Sequence, residues 1–138
     1  MPVCYFASDF HLGAPNPSQS LERERSIIRW LDYVASDATD IYFVGDVFDF
    51  WFEYATVIPK GHSRFFGKIA ELSDRGIQFH FFHGNHDMWV KDYFKNEFGM
   101  KIYDQPQEIE LFGKKILLGH GDGLGPGDRG YKFIKRIL

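Results

Sequence analysis

This sequence predicts a layered α/β or mixed α+β fold built on a sheet, and three observations point to it. Short apolar runs of strand length alternate with longer stretches of helical periodicity over about the first 100 residues. The pattern then switches to the period-2 alternation of a hairpin. Strand-like runs also close repeatedly on segments rich in Gly, Asp and His, the composition of loops at a sheet's edge. Strand and helix alternation followed by a hairpin leaves few other layer arrangements.

Pro2 to Ala7 reads as a buried strand that closes on Ser8-Asp9-Phe10-His11. From Ser20 to Ala35, Leu21, Ile27, Ile28, Leu31 and Val34 fall near helical spacing with Arg and Glu between them. Ile41 to Val44 is a second buried strand, ending on Gly45-Asp46. Ser63 is placed to cap a helix running to Asp74, with Phe65, Phe66, Ile69 and Leu72 on one side and Gly76 as its stop. Ile77 to Phe82 is a third strand, closing on His83-Gly84-Asn85-His86-Asp87. Asp87 then caps a predicted helix from Met88 to Phe98, stopped by Gly99. Gln107 to Phe112 alternates as a half-buried strand, Gly113-Lys114 reads as the turn, and Lys115 to Leu118 returns to Gly119-His120-Gly121-Asp122. Gly121 to Gly130 holds five glycines and a proline and reads as a loop, and Arg129 to Leu138 opens an amphipathic helix. That helical pattern has no closing cap, so the chain is expected to continue beyond Leu138.

The 138 residues suffice for one domain, taken here as 1–138, and the 44% hydrophobic and 25% charged composition is that of a folded chain. Aromatic residues make up 18%, enough to fill a core or line an apolar cleft, and composition does not choose between them. Cys4 is the one cysteine and sits in a strand that reads as buried, so a disulfide framework is excluded and a reducing, cytoplasmic setting is expected. The start Met1-Pro2-Val3-Cys4-Tyr5 lacks the basic-then-apolar pattern of a signal peptide. A net charge of −3 argues against a nucleic-acid partner.

Chemistry-bearing residues gather at four strand ends: Asp9 with His11, Asp46 with Asp49, Asn85-His86-Asp87, and His120 with Asp122. Each alone has an ordinary explanation, since Asp-x-His after a strand is commonly a turn or cap, and Gly-Asp is a common turn. Taken together, in open sheets whose sites form beyond the carboxyl ends of strands, the four can converge. Mixed carboxylate, amide and imidazole ligands suit divalent manganese, iron or zinc, and a thiolate site is excluded.

The series Asp9-x-His11, Gly45-Asp46-x-x-Asp49, Gly84-Asn85-His86-Asp87 and Gly119-His120-Gly121-Asp122 resembles the calcineurin-like metallophosphoesterase superfamily. Within it, Ser8-Asp9-Phe10-His11-Leu12-Gly13, Gly45 to Trp51 and His120-Gly121-Asp122-Gly123 most resemble the UDP-2,3-diacylglucosamine hydrolases of lipid A biosynthesis. The resemblance implies a β-sandwich flanked by helices and two divalent ions, manganese by preference with iron or zinc as alternatives. Asp9 and His11 would hold the first ion, Asp46 would bridge, and Asn85 and His120 would hold the second. His86, polarised by Asp49, would protonate the leaving group or stabilise the equatorial oxygens while an activated water attacks phosphorus. Asp122 would orient His120.

Two departures matter. Some diacylglucosamine hydrolases carry Arg where this chain has His86, which loosens the inference to substrate. The superfamily also closes its site with a Gly-His-x-His segment, and none of the six histidines here forms one. The fold is therefore expected to be incomplete at its C-terminus.

Among the remaining residues, Phe48, Phe50, Trp51, Phe52 and Tyr54 read first as core, as aromatic runs usually do, with Phe50 and Trp51 at the mouth of an acyl or nucleoside cleft as the alternative. His62 reads as a loop residue, and His80 and His83 as hydrogen-bonded strand histidines. Arg129, Lys132, Lys135 and Arg136 make the last helix basic on one side, for contact with anionic lipid or diphosphate, or simply with solvent. The expected substrate is a lipid-linked nucleotide sugar, handled at the inner membrane face. A phosphodiesterase or phosphatase acting on soluble nucleotides or phosphoproteins is the second reading, and a metal-free scaffold the third.

Overall fold

The computed structural model describes residues 2–120. Four strands pair in parallel in the order β1-β2-β3-β4, namely β1 (Cys4–Ala7), β2 (Asp40–Val44), β3 (Gln78–Phe82) and β4 (Lys101–Tyr103). Parallel neighbours need crossovers, and helices supply them: α1 (Pro17–Val34), α2 (Ser63–Asp74) and α3 (Tyr93–Phe98). An antiparallel pair, β5 (Gln107–Leu111) and β6 (Lys114–Leu118), forms a separate two-stranded sheet. Parallel sheet and helices are the mixed α/β layering that the sequence predicts.

The two sheet faces differ. On one, Ile41, Phe43, Phe79 and Phe81 join Leu31 and Val34 of α1 and Ile69 and Leu72 of α2 in a single apolar cluster. Burial of each such side chain contributes about 1.5–3 kcal/mol. Phe48, Trp51, Phe65 and Phe94 extend this core beneath the loops that follow β2 and β3. On the opposite face rings stack across the strands: Phe6 on Tyr42, Tyr42 on His80 at 4.0 Å between centroids, and His80 beside Tyr103. His80 is buried and hydrogen-bonded on both nitrogens, 2.8 Å from Asp40 and 2.9 Å from the Tyr103 hydroxyl.

Several local expectations shift. α1 begins three residues before Ser20, because Asn16 caps it by accepting from Gln19 N and Pro17 occupies the first turn. Ser63 is the first residue of α2 rather than its cap; His62 takes the cap position in a left-handed conformation. The helix predicted from Met88 is confined to Tyr93–Phe98, because Asp87 turns its carboxylate elsewhere and Trp89 bridges to Phe52. β4, three residues long, escapes periodicity. The hairpin turns at Phe112-Gly113, φ 55° and 75°, one residue earlier than predicted. Cys4 is half-buried rather than buried. The predicted loop Gly121–Gly130, the helix Arg129–Leu138 and Asp122 lie outside the described residues.

Candidate metal centre

Because β1, β2 and β3 run parallel, their carboxyl ends open on one edge and their loops are neighbours. The first two loops continue pairing after the strands end. Asp9 N donates to Gly45 O at 3.1 Å, His11 N to Asp46 O at 3.0 Å, Leu12 N to Val47 O at 2.9 Å, and Asp49 N to Leu12 O at 3.0 Å. Within this irregular ladder Asp9, His11 and Asp46 have φ of 60°, 47° and 53°. Left-handed backbone at a non-glycine residue is sparsely populated and costs about 1–3 kcal/mol, so it persists only where surroundings over-determine it. Three such residues, all potential ligands, share one small region.

Asp46 is the centre. It is buried, and its Oδ1 accepts from the His86 backbone N–H at 2.9 Å. Its Oδ2 lies 3.1 Å from His120 Nε2 and 3.8 Å from His11 Nε2. Burial pushes the Asp46 carboxyl up, yet the His120 side chain, the His86 amide and both imidazole charges hold it below the ordinary carboxylate range. Two sets of ligand atoms, His11–Asp46–His86 and Asp9–Asp46–His120, each gather within 4.8 Å, and Asp46 belongs to both.

The donor chemistry fits cations at this place. His120 Nδ1 lies 2.9 Å from Val44 O. A carbonyl only accepts, so Nδ1 carries the proton, and Nε2 faces the Asp46 carboxylate either as a protonated nitrogen or with a lone pair that calls for a cation. The Asn85 amide poses the same alternative, 2.8 and 3.1 Å from the two Asp46 oxygens. Turned one way its nitrogen donates to them; turned the other, oxygen faces oxygen and a cation must lie between. His86 Nδ1 is likewise proton-bearing, 2.9 Å from Asp49 O.

Close packing leaves no room for side chains at two glycines. A Cβ on Gly45 would come within 2.6 Å of the His120 ring, and one on Gly84 would overlap the Asp46 backbone and carboxylate. Gly45 also sits at φ 82°.

Asp9, His11, Asp46, Asp49, Asn85, His86 and His120 lie together at this sheet edge. His11 lies between Asp46 and Asp49, its Nδ1 3.5 Å from Asp49 Oδ1, and groups with His86 rather than only with Asp9, whose carboxylate is 3.4 Å away. Asp49 meets His86 chiefly through its backbone oxygen, since its carboxylate is 3.6 Å from the ring. Trp51 does not line a cleft: it is fully buried against Phe48 and Phe94, with its indole N–H on Glu53 at 3.0 Å. Phe50 is 61% exposed, because the chain turns its side outward from the core. His62 packs on Phe48 and Phe66.

Among the described residues, buried carboxylates besides Asp46 brace the loops in roles that motif reading does not assign. Asp87 accepts from Gly84 N, Asp46 N, Val47 N and Phe48 N at 2.8–3.3 Å, tying the third ligand loop to the second. Burial pushes its carboxyl up to about 6 against the pull of those amides. Glu53 accepts from the Trp51 indole, Lys91 N and Tyr93 N. Asp87 was visible only as part of a motif, and nothing in the sequence marks Glu53.

The sequence profile of the family described as calcineurin-like phosphoesterase matches residues 4–136. A UDP-2,3-diacylglucosamine hydrolase of Porphyromonas gingivalis is 45% identical over 96% of this chain and 48% of its own length. One of Aeromonas hydrophila is 35% identical over 96% of this chain and 53% of its own. The chain therefore spans about half the length of the curated relatives it matches. A solved protein of unknown function from Aquifex aeolicus shares the fold, with TM-score 0.59 and 23% identity over 96% of this chain and 69% of that one.

Proposed function

The chain belongs to the calcineurin-like phosphoesterase family, and on that premise we propose that the protein hydrolyses the pyrophosphate of UDP-2,3-diacylglucosamine, giving UMP and the acylated sugar phosphate, lipid X. The observation that carries the reading is the Asp46 carboxylate shared by two ligand groups. The names of the relatives support the substrate.

In this reading Asp9, His11, Asp46, Asn85 and His120 hold two divalent ions, manganese by preference. When bound, such ions supply Lewis acidity to phosphoryl oxygens and a nucleophilic water at neutral pH. The protein's part is orientation and proton handling. Val44 O fixes the His120 tautomer so that Nε2 is the ligand atom. Asp49 O holds the Nδ1–H of His86 and so aims its Nε2 outward; in the imidazolium form that Nε2 would give a proton to the leaving oxygen or a hydrogen bond to an equatorial one. Buried Asp87 keeps the Asp46 and His86 loops in register. Exposed Phe50 and Tyr54 follow the second ligand loop and serve acyl chains at the cytoplasmic face of the inner membrane. Among the described residues, no helix is long and apolar enough to cross a membrane.

The test measures Mn²⁺ binding and hydrolysis of UDP-2,3-diacylglucosamine, unacylated UDP-glucosamine and a chromogenic phosphodiester. Acylated substrate is expected to be preferred, and Asp46→Ala should lower metal affinity more than about 100-fold, beyond the range of second-shell losses. A full-length chain that binds no metal refutes the enzyme reading. Hydrolysis indifferent to acylation replaces this substrate with a soluble one.

A further inference from the structure

We infer that Arg23, on α1 and outside every ligand motif, is a positioning residue for the turn that carries Asp9 and His11. The inference rests on the metal-dependent reading of the site. Arg23 Nη1 lies 3.2 Å from Phe10 O, 3.1 Å from His11 O and 2.9 Å from Ala14 O, so three carbonyls converge on one nitrogen. One turn earlier on the same helix, buried Ser20 accepts from Gly13 N at 2.7 Å. The amides of Asp9, His11 and Leu12 already bind the carbonyls after β2. The ligand turn is therefore held from two sides: the loop after β2 takes the N–H groups of Asp9, His11 and Leu12 and the Leu12 carbonyl, and α1 takes the carbonyls of Phe10, His11 and Ala14 and the Gly13 N–H.

This division matters because Asp9 and His11 both sit at positive φ. Such a conformation relaxes unless its backbone partners hold it. Asp9 and His11 are two residues apart, so a relaxation of the intervening backbone swings their side chains away from each other and from Asp46. The Phe10 ring between them packs edge-on to Phe43 and Phe65, which anchors the apolar side of the turn, while its own carbonyl turns to Arg23 and the His11 carbonyl is shared between Arg23 and Ala14 N. Arg23 touches no ligand atom among its hydrogen bonds, and its effect passes through the backbone.

Charge and positioning predict opposite signs. A guanidinium near a cation site repels the cation, so a purely electrostatic role means that neutralising Arg23 tightens metal binding. A positioning role means that it weakens binding.

The experiment titrates Mn²⁺ into the 138-residue chain and its Arg23→Met and Arg23→Lys variants, with circular dichroism as the check on folding and amide hydrogen exchange read at residues 9–13. Arg23→Met is expected to weaken Mn²⁺ binding about 10- to 100-fold, the range of outer-shell ligand supports, and to speed exchange in the turn. Arg23→Lys, whose ammonium donates to carbonyls, should restore most of both. If Arg23→Met unfolds the chain, Arg23→Gln takes its place with the same expectation. Wild-type affinity and exchange in the Met variant, or tighter Mn²⁺ binding, would overturn the inference. A wild type that binds Mn²⁺ but hydrolyses no phosphoester sinks the proposed function while leaving Arg23 to this test. A wild type that binds none leaves the metal-free exchange to decide, and unchanged exchange overturns it.

Discussion

His80 and Asp87 show how burial changes what a titratable residue does. His80 lies between Tyr42 and Tyr103 on the sheet face opposite the main core, with Asp40 on its Nε2. Burial pushes its pKa below the ordinary histidine value, and the hydrogen bond that His80 donates to the Asp40 carboxylate recovers only part of that. The unfolded chain, with a histidine pKa near ~6.5, therefore binds more protons than the folded one over the interval between the two values. Stability linked to neutral His80 is present above about pH 6.5 and is lost as pH falls through the folded pKa. Urea midpoints should drop between about pH 7 and pH 5, and His80→Asn, although less stable, should show a shallower drop. An equal slope in the variant would assign the titration to other groups. Asp87 is the complementary case: its conventional reading as a helix cap fails because four backbone amides from two loops reach it first. Its partners Asp46, Val47 and Phe48 lie about 40 residues away, beyond any local signal.

At the level of elements, α3 depends on a residue outside it. Its cap position, Asp92, makes no side-chain capping bond, while Glu53 accepts from Lys91 N and Tyr93 N at the helix start. The same carboxylate holds the Trp51 indole, so one buried group joins the loop after β2 to the segment after β3. Glu53→Gln keeps the shape but replaces one acceptor oxygen by an NH₂ that must face a donor. A loss of about 1–3 kcal/mol is expected from chemical denaturation, with a shift in tryptophan emission as Trp51 loses its partner. An unchanged emission maximum would show that the indole is not held this way. The strands themselves were legible, because β2 and β3 are buried on both faces and read as continuous apolar runs. β4 was not, since three residues hold too little periodicity and Lys101 opens it.

For the molecule as a whole, the candidate ligands gather at one sheet edge, with loops from distant parts of the chain around Asp46. A cation bound there but not by the unfolded chain stabilises the fold by mass action, about 2.7 kcal/mol at 100 times its Kd. For a chain of this size that is a Tm increase on the order of 10 °C. Mn²⁺ should raise the wild-type Tm accordingly and leave Asp46→Ala unmoved; a Tm indifferent to Mn²⁺ would count against the site.

The sequence alone determined the strand and helix alternation, the four ligand clusters and their order, because hydrophobic period and residue chemistry are local properties. Tertiary structure alone decided that His11 groups with His86, that Trp51 belongs to the core, and that Asp87, Glu53 and Arg23 brace the loops. Those outcomes depend on which backbone groups the parallel pairing of β1, β2 and β3 leaves unpaired at the sheet's edge. Unpaired groups in a buried place recruit whichever polar side chain the packing brings within reach, whatever its distance along the chain.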